Sequence, residues 1–142
     1  MRFIDTNVLV YASTDQDARK GEIARDVIAH AMMVNHDGCI STQVLSEFCN
    51  TMLRKLRHDR ESVDGFLDYY RELVAADVTV DLIRSAIDVQ AEFGIQYYDA
   101  LIVATAEKLG CHEIVSEDFN AGQIYRGMVV VNPFGCAEGF GF

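Results

Sequence analysis

The feature that most constrains this chain is the alternation of short apolar segments with longer amphipathic ones. Short apolar runs predict strands, and apolar residues spaced by three or four among charged ones predict helices. Strands are predicted at residues 3–4, 39–41, 78–80, 114–115 and 128–131. Helices are predicted from about residue 8 and over 18–34, 44–56, 61–75, 82–93 and 97–109. Such an alternation predicts an α/β fold with a central parallel sheet of about four to five strands flanked by helices.

Length and composition predict one domain over residues 1–142. The chain has 142 residues, of which 50% are hydrophobic and 24% charged, so it can bury one core. No linker, repeat or low-complexity segment divides it. The glycine-rich tail, residues 135–142, is expected to be loosely held, and its aromatic residues are expected to contact a partner subunit. The aromatic residues meant are Phe134, just before the tail, and Phe140 and Phe142 within it.

The apolar runs and the cysteines predict a cytoplasmic protein. No apolar run is long enough to span a bilayer, and Asp5 lies where a signal peptide needs apolar residues. The cysteines lack any paired spacing, so we expect ordinary core residues in a reducing compartment, with neither a disulfide nor a zinc site. They are Cys39, Cys49, Cys111 and Cys136.

Four acidic residues occupy positions that suggest chemistry. Asp5 and Asp118 each follow a predicted strand, and the carboxyl ends of parallel strands gather functional groups at one edge of the sheet. Asp99 and Glu47 lie on predicted helices beside apolar residues. Structural alternatives remain open: Asp5 as a helix N-cap, Asp118 as the cap of a turn, and Asp99 as a first-turn acid favoured by the helix dipole.

A cation is the expected partner of these acids. Few lysine or arginine residues lie near them in the sequence, and an unpaired buried carboxylate is costly. Oxygen ligands favour Mg²⁺ or Mn²⁺, and two such ions can activate water and stabilise the leaving oxygen in an attack on a phosphodiester. The net charge of −10 argues against nucleic-acid binding by charge alone, but a bound metal reverses the local field.

The order of these motifs along the whole chain resembles the PIN domain family. The motifs are Phe3-Ile4-Asp5-Thr6-Asn7, Glu47 on an early helix, Tyr98-Asp99-Ala100 at the start of a late helix, and Val115-Ser116-Glu117-Asp118-Phe119 after a strand. Within that family, Ser116 to Asn120, Gly122-Gln123 and Val131 to Phe134 are similar to VapC-type toxins of toxin–antitoxin systems.

The resemblance implies a single-strand-favouring endoribonuclease that uses Mg²⁺ or Mn²⁺. Its acidic metal site would be formed by Asp5, Glu47, Asp99 and Asp118. Polar supports that orient ligands or a bound water would be Thr6, Asn7 and Ser116. The resemblance also implies a homodimer and a small antitoxin protein whose basic or apolar tail covers the acidic pocket. An antitoxin arginine inserted there would pair with the carboxylates and compete with the metal.

A local basic run is a candidate RNA-binding element. It contains Arg54, Lys55, Arg57 and Arg60. These residues are expected to hold the RNA backbone near the site, or else to be favoured at a helix C-terminus by the dipole.

Two other function classes compete with the ribonuclease. A phospho-accepting receiver domain needs an acidic pair after the first strand and a late lysine, and this chain has neither. A PIN scaffold that binds metal or a partner without cutting RNA is the other alternative, although all four acids are retained.

Overall fold

The computed structural model describes residues 1–135, and these form one sheet with helices around it. The strands are β1 Arg2–Ile4, β2 Gly38–Ser41, β3 Val74–Ala76, β4 Glu113–Val115, β5 Ile124–Tyr125 and β6 Met128–Val131. Their order is β3-β2-β1-β4-β6-β5. Neighbours pair in parallel except β5 and β6, which are antiparallel. The predicted fold class is therefore confirmed.

Six α-helices connect the strands within the described residues. They are α1 Thr6–Ala12, α2 Ala18–Ala29, α3 Thr42–Asn50, α4 Arg60–Tyr70, α5 Val80–Phe93 and α6 Tyr97–Lys108. A π-helical turn extends α2 over His30–Val34, and another extends α3 over Thr51–Lys55. Polar side chains cap the helix starts, as when Asp5 accepts the Thr6 N–H. Gly94 ends α5 in the left-handed conformation, with φ of 66°.

Strand β1 lies in the middle of the sheet, where the direction of winding changes. Strands β2 and β3 lie on one side of it, and β4 and β6 lie on the other. Such a switch opens a crevice at the carboxyl ends of the two central strands. Asp5 directly follows β1, and Ser116 directly follows β4. The topology therefore places both segments at the same edge of the sheet.

The predicted strand at residues 78–80 is wrong. The edge strand is β3, Val74–Ala76, which pairs with β2 through Ile40 and Val74. Thr79 instead caps α5, and Val80 begins that helix with 65% of its surface exposed. The predicted helix over 61–75 is correspondingly too long, because α4 ends at Tyr70 and a 3₁₀ turn follows. Pairing with β2 overrides the helical spacing of Leu73 and Val74, a tertiary effect on a weak local preference.

Strand β5 was not predicted. It joins β6 through a two-residue turn in which Arg126 and Gly127 both have positive φ, 50° and 83°. Such hairpin turns are usually signalled by Asn-Gly or Asp-Gly, and this chain has neither signal there. With two residues, β5 is also too short to give a pattern.

Several smaller predictions concern side-chain positions. Cys39 and Cys111 are buried in the core, as predicted, with their sulfur atoms 3.5 Å apart. Phe134 is only 6% exposed and packs edge-on against Tyr11 of the same chain, so the predicted partner contact is wrong for this residue. The predictions for residues 136–142, including Cys136, Phe140 and Phe142, lie outside the described residues. Between residues 1 and 135, no helix combines the length and apolarity needed to cross a membrane.

Candidate active site

Asp5 is the buried centre of the acidic cluster and only 4% exposed. Its Oδ1 accepts the backbone N–H of Thr6 at 2.7 Å, and its Oδ2 accepts the Ser116 hydroxyl, also at 2.7 Å. Asp5 therefore caps the N-terminus of α1, as the structural alternative predicted. Capping uses only Oδ1, however, and does not account for the second carboxylate oxygen, which accepts the Ser116 hydroxyl inside the protein.

The environment of Asp5 raises its pKa to about 7. Burial is the largest cause, and the charges of Asp118 and Glu47 act in the same direction. Hydrogen bonds from Ser116 and Thr6 oppose the rise but do not cancel it. A carboxyl group with such a pKa exchanges its proton near neutral pH.

Glu47 on α3 is half-buried and held at both carboxylate oxygens. The Thr6 hydroxyl donates to Oε2 at 2.9 Å, and the Gln43 amide donates to Oε1 at 2.9 Å. Thr6 thus contacts two acids, Asp5 through its backbone and Glu47 through its side chain. Gln43 was not predicted from the sequence, where its only signal is its place one helical turn before Glu47.

Asp118 is exposed and lies in the turn after β4. Its Oδ2 accepts the Asn7 amide at 3.1 Å, and its backbone N–H donates to the Ser116 hydroxyl at 3.1 Å. The same Asn7 amide reaches Ser116 Oγ at 3.2 Å, while its carbonyl accepts the Glu117 N–H. The three predicted supports, Thr6, Asn7 and Ser116, therefore all contact acids of the cluster.

Asp99 is half-buried in the first turn of α6, where its backbone N–H is capped by Gln96. Its pKa is raised by burial first, then by the charges of Asp118 and Glu47. The four predicted acids therefore influence one another electrostatically, although they come from four separate parts of the chain. A cation bound among these carboxylates would offset this repulsion between like charges.

Among residues 1–135, no cationic side chain forms an ion pair with this cluster. The ion pairs seen within residues 1–135 are Arg2 with Asp37 and Glu113, Lys20 with Glu117, Arg71 with Asp68, and Arg126 with Glu92 and Glu107. None of these pairs includes Asp5, Glu47, Asp99 or Asp118. Glu117, although adjacent to Asp118, directs its carboxylate to Lys20 of α2.

An open cleft of about 600 Å³ lies over part of the cluster. Glu47, Asp118 and Lys55 line it, whereas Asp5 and Asp99 are not among its lining residues. Of the basic run, only Lys55 is brought to this cleft. Arg54 and Arg57 lie on the exposed surface nearby, and Arg60 borders a separate small apolar pocket with Cys49 and Leu53.

A second cleft of about 680 Å³ lies away from the acids. It is bordered by α1, α2 and α4, with Ile28, Phe66 and Tyr70 in its wall. Its lining has one charged residue, Arg25, and none of the four acids. Its size therefore does not make it a candidate for the acid chemistry.

The chemistry of the acids fits a hard divalent cation, but their rotamers do not form a closed cage. Over residues 1–135, no three His, Cys, Asp or Glu side chains converge on a position that could hold a metal ion. Mg²⁺ is commonly bound by one or two carboxylates together with water and substrate phosphate, so a three-acid cage is not required. The uncompensated charge fits an ion held with open coordination positions.

Sequence comparison assigns the family. A model described as the PIN domain matches residues 2–127. No protein of curated function matches the chain in sequence.

Solved structures with the same fold include toxins. VapC20 from Mycobacterium tuberculosis, a toxin that cleaves the sarcin–ricin loop, has a TM-score of 0.65 and 22% identity, covering 80% of this chain and 87% of that chain. A toxin–antitoxin complex from Klebsiella pneumoniae has a TM-score of 0.65 and 16% identity, and the match covers 94% of this chain and 98% of that chain. VapBC2 from Rickettsia felis, bound to promoter DNA, has a TM-score of 0.62 and 15% identity, and the match covers 91% of this chain and 96% of that chain.

Proposed function

The chain belongs to the PIN domain family, and from that premise we propose that it is a divalent-metal-dependent endoribonuclease. It would hydrolyse RNA phosphodiester bonds and act as the toxin of a toxin–antitoxin pair. The observation that carries the proposal is the cluster of four acids, in which the charges of Glu47 and Asp118 raise the pKa of both Asp5 and Asp99 and no ion pair within residues 1–135 neutralises any member. The fold shared with VapC toxins supports it.

The four acids, Asp5, Glu47, Asp99 and Asp118, would hold Mg²⁺ or Mn²⁺. When bound, the ion supplies a Lewis acid that activates water and stabilises the leaving oxygen. Asp5 must give up its proton before it can serve as a ligand, because its pKa is about 7. Ser116 then fixes the Asp5 carboxylate, while Thr6 and Asn7 orient Glu47 and Asp118. These three polar residues act as orienting supports.

Lys55 is the basic residue best placed to hold the RNA backbone. It lines the same cleft as Glu47 and Asp118, so a phosphate it binds would lie beside the acids. Arg54 and Arg57 would extend this contact along the surface. Arg60 would contribute least, because it borders a different pocket.

A cognate antitoxin and a second copy of the chain are the proposed protein partners. The Klebsiella and Rickettsia structures are toxin–antitoxin assemblies, which supports an antitoxin for this chain. An antitoxin arginine placed among the acids would compete with the metal. The exposed apolar side chains Val80, Ile83 and Ile87 on α5 support a homodimer. The proposed location is the cytoplasm.

A scaffold that does not cut RNA is the second candidate function. It is favoured by one observation, that no three acidic or other ligating side chains within residues 1–135 converge on an ion position. The family match leaves no support for the receiver-domain alternative.

Cleavage of RNA by purified, partner-free protein tests the proposal. Single-stranded RNA and hairpins, including one with the sarcin–ricin loop sequence, are incubated with Mg²⁺ or Mn²⁺, with an EDTA control. We expect metal-dependent cleavage that Asp99→Asn slows by at least about 10²-fold. The exposed Asp88 of α5 gives the matched control, Asp88→Asn, which should cleave at the parental rate. Cleavage in EDTA, or parental cleavage by Asp99→Asn, would contradict the proposal.

A further inference from the structure

Gln43 connects two parts of the acidic cluster from inside the protein. It lies on α3, one turn before Glu47, and is only 7% exposed. Its amide nitrogen donates to Glu47 Oε1 at 2.9 Å and to the backbone carbonyl of Tyr98 at 3.0 Å. Tyr98 directly precedes Asp99, so one buried side chain links Glu47 to the turn that carries Asp99.

The orientation of the Gln43 amide is set by its surroundings. Both partners of the nitrogen are acceptors, so exchanging the amide oxygen and nitrogen would place acceptor against acceptor. The Gln43 oxygen is left buried, without a hydrogen-bond partner among residues 1–135. A buried unpartnered acceptor lowers stability relative to an apolar side chain of similar shape.

An apolar residue would serve the core better at this position. The neighbouring buried residues of the α3 face, Val44 and Phe48, are apolar, and both are fully buried. Met would occupy the volume of Gln43 without burying an unpartnered oxygen. Fold stability therefore does not explain the glutamine, and its two hydrogen bonds to the acidic cluster remain as the explanation.

We infer that Gln43 is a positioning residue, which holds the Glu47 carboxylate and the Asp99 turn at a fixed separation for a divalent cation. The inference rests on the proposed function. Thr6 fixes one oxygen of Glu47, and Gln43 fixes the other. Without Gln43, the Glu47 carboxylate keeps a single hydrogen bond and its direction is no longer determined. Partners that orient metal-binding side chains typically change metal affinity by about 10–100-fold when removed.

The test compares Gln43→Met with Gln90→Met, the same change at an exposed glutamine of α5. Mn²⁺ affinity is measured by electron paramagnetic resonance, and thermal unfolding is measured on the metal-free protein. We expect Gln43→Met to bind Mn²⁺ at least about tenfold more weakly, with an unfolding temperature equal to or above that of the parent. Gln90→Met should change neither quantity.

A double variant tests whether Gln43 acts through Glu47. In a Glu47→Gln background, Gln43→Met should lose less Mn²⁺ affinity than it does in the parent, because one of the two groups it positions is already absent; a loss as large as in the parent would show that Gln43 does not act through Glu47. If Gln43→Met does not fold, Gln43→Asn replaces it, since its shorter amide cannot span both partners. The expectation for Gln43→Asn is the same loss of Mn²⁺ affinity.

Each outcome bears on the inference. Unchanged Mn²⁺ affinity in a folded Gln43 variant would overturn it while leaving the proposed function in place. A lower unfolding temperature of the metal-free Gln43→Met protein, together with unchanged Mn²⁺ affinity in Gln43→Asn, would also overturn it, because the glutamine would then serve only the fold. A parent protein that binds no Mn²⁺ would overturn both this inference and the metal-dependent function.

Discussion

Asp5 and Glu47 are each held at both carboxylate oxygens, whereas Asp99 and Asp118 are held far less completely. The first two, which we call the fixed pair, receive hydrogen bonds from Thr6, Ser116 and Gln43. Asp99 and Asp118 form the open pair. Asp118 accepts one side-chain bond from Asn7, and Asp99 is tied to Gln96 through its backbone N–H.

The difference follows from where each acid lies in the fold. Asp5 directly follows the central strand β1, and Glu47 lies in the second turn of α3, where donors from neighbouring segments reach both oxygens of each carboxylate. Asp118 lies in a turn, and Asp99 lies in the first turn of α6. Preorganised ligands bind an ion at a defined place, whereas less restrained ligands can change position as the ion and the substrate bind. The fixed pair should therefore dominate ion binding.

The largest expected effect is a difference in Mn²⁺ affinity between a variant of the fixed pair and a variant of the open pair. Asp5→Asn should reduce Mn²⁺ affinity by at least about 100-fold, the upper end of the effect of removing an orienting partner, because here the buried ligand itself loses its charge. Asp118→Asn should reduce Mn²⁺ affinity by only about tenfold. Isothermal titration of both variants beside the parent measures the difference. Equal losses in the two variants would remove the distinction between the fixed and open pairs.

The pKa of Asp5 predicts an unusual pH dependence of stability. Because this pKa is about 7 in the folded protein and 3.8 ordinarily, the folded state keeps a proton that the unfolded state has lost between these pH values. The metal-free protein should therefore lose stability as pH rises from about 4 to 7, by as much as about 4 kcal/mol. The raised pKa of Asp99 acts in the same direction.

Urea unfolding in EDTA at pH 5 and pH 8 measures this dependence. Asp5→Asn should flatten it, so that the variant's stability relative to the parent is greater at pH 8 than at pH 5. A parent protein equally stable at both pH values would show that Asp5 is already ionised. An Asp5→Asn variant with the parental slope would assign the effect to another group.

Thr6 is the residue that joins the fixed pair, and its removal should have a moderate effect. Thr6→Val keeps the shape and the backbone N–H bonded to Asp5 but removes the hydroxyl bonded to Glu47. Mn²⁺ affinity should fall by about tenfold. Thr6→Ser, which keeps the hydroxyl, is the matched control. A Thr6→Ser variant as weak as Thr6→Val would show that the methyl group, not the hydroxyl, is needed.

The smallest effect should come from Lys55, outside both pairs. Lys55→Ala should weaken single-stranded RNA binding several-fold and reduce the slope of log affinity against log salt by about 0.7. Arg60→Ala should change the slope little, because Arg60 borders another pocket. Fluorescence anisotropy with EDTA measures binding without cleavage. A larger effect of Arg60→Ala would relocate the RNA path away from the cleft.

The proximity of Asp5 and Asp118 could be predicted from the sequence because strand ends are local features. Asp5 and Asp118 follow recognisable apolar strands, and a parallel sheet brings such ends together. Glu47 and Asp99 were singled out by their places beside apolar residues on predicted helices, and the resemblance to PIN domains, which the family match confirms, grouped all four acids into one proposed site. The grouping of the acids into a fixed pair and an open pair depends on individual hydrogen bonds, which have no sequence pattern.

The features that could not be predicted from the sequence also depend on contacts that form only after folding. Gln43 gains its role from the carbonyl of Tyr98, which is remote in sequence and adjacent only after folding. Strand β3 exists because β2 offers it a partner, whereas its own residues continue the helical spacing of α4. Lys55 is separated from Arg60 by the turn between α3 and α4, so a continuous basic run is divided between two pockets.

The central claim is that the four acids form a single metal site, and an anomalous diffraction map of crystals soaked in Mn²⁺ tests it most directly. We expect a strong peak beside Asp5 and Glu47, about 2.0–2.4 Å from carboxylate oxygens, with Asp99 and Asp118 turned toward it. The peak should be absent from crystals of the Asp5→Asn variant. A fully soaked parent crystal with no peak at these acids, or with Mn²⁺ bound elsewhere, would contradict the claim.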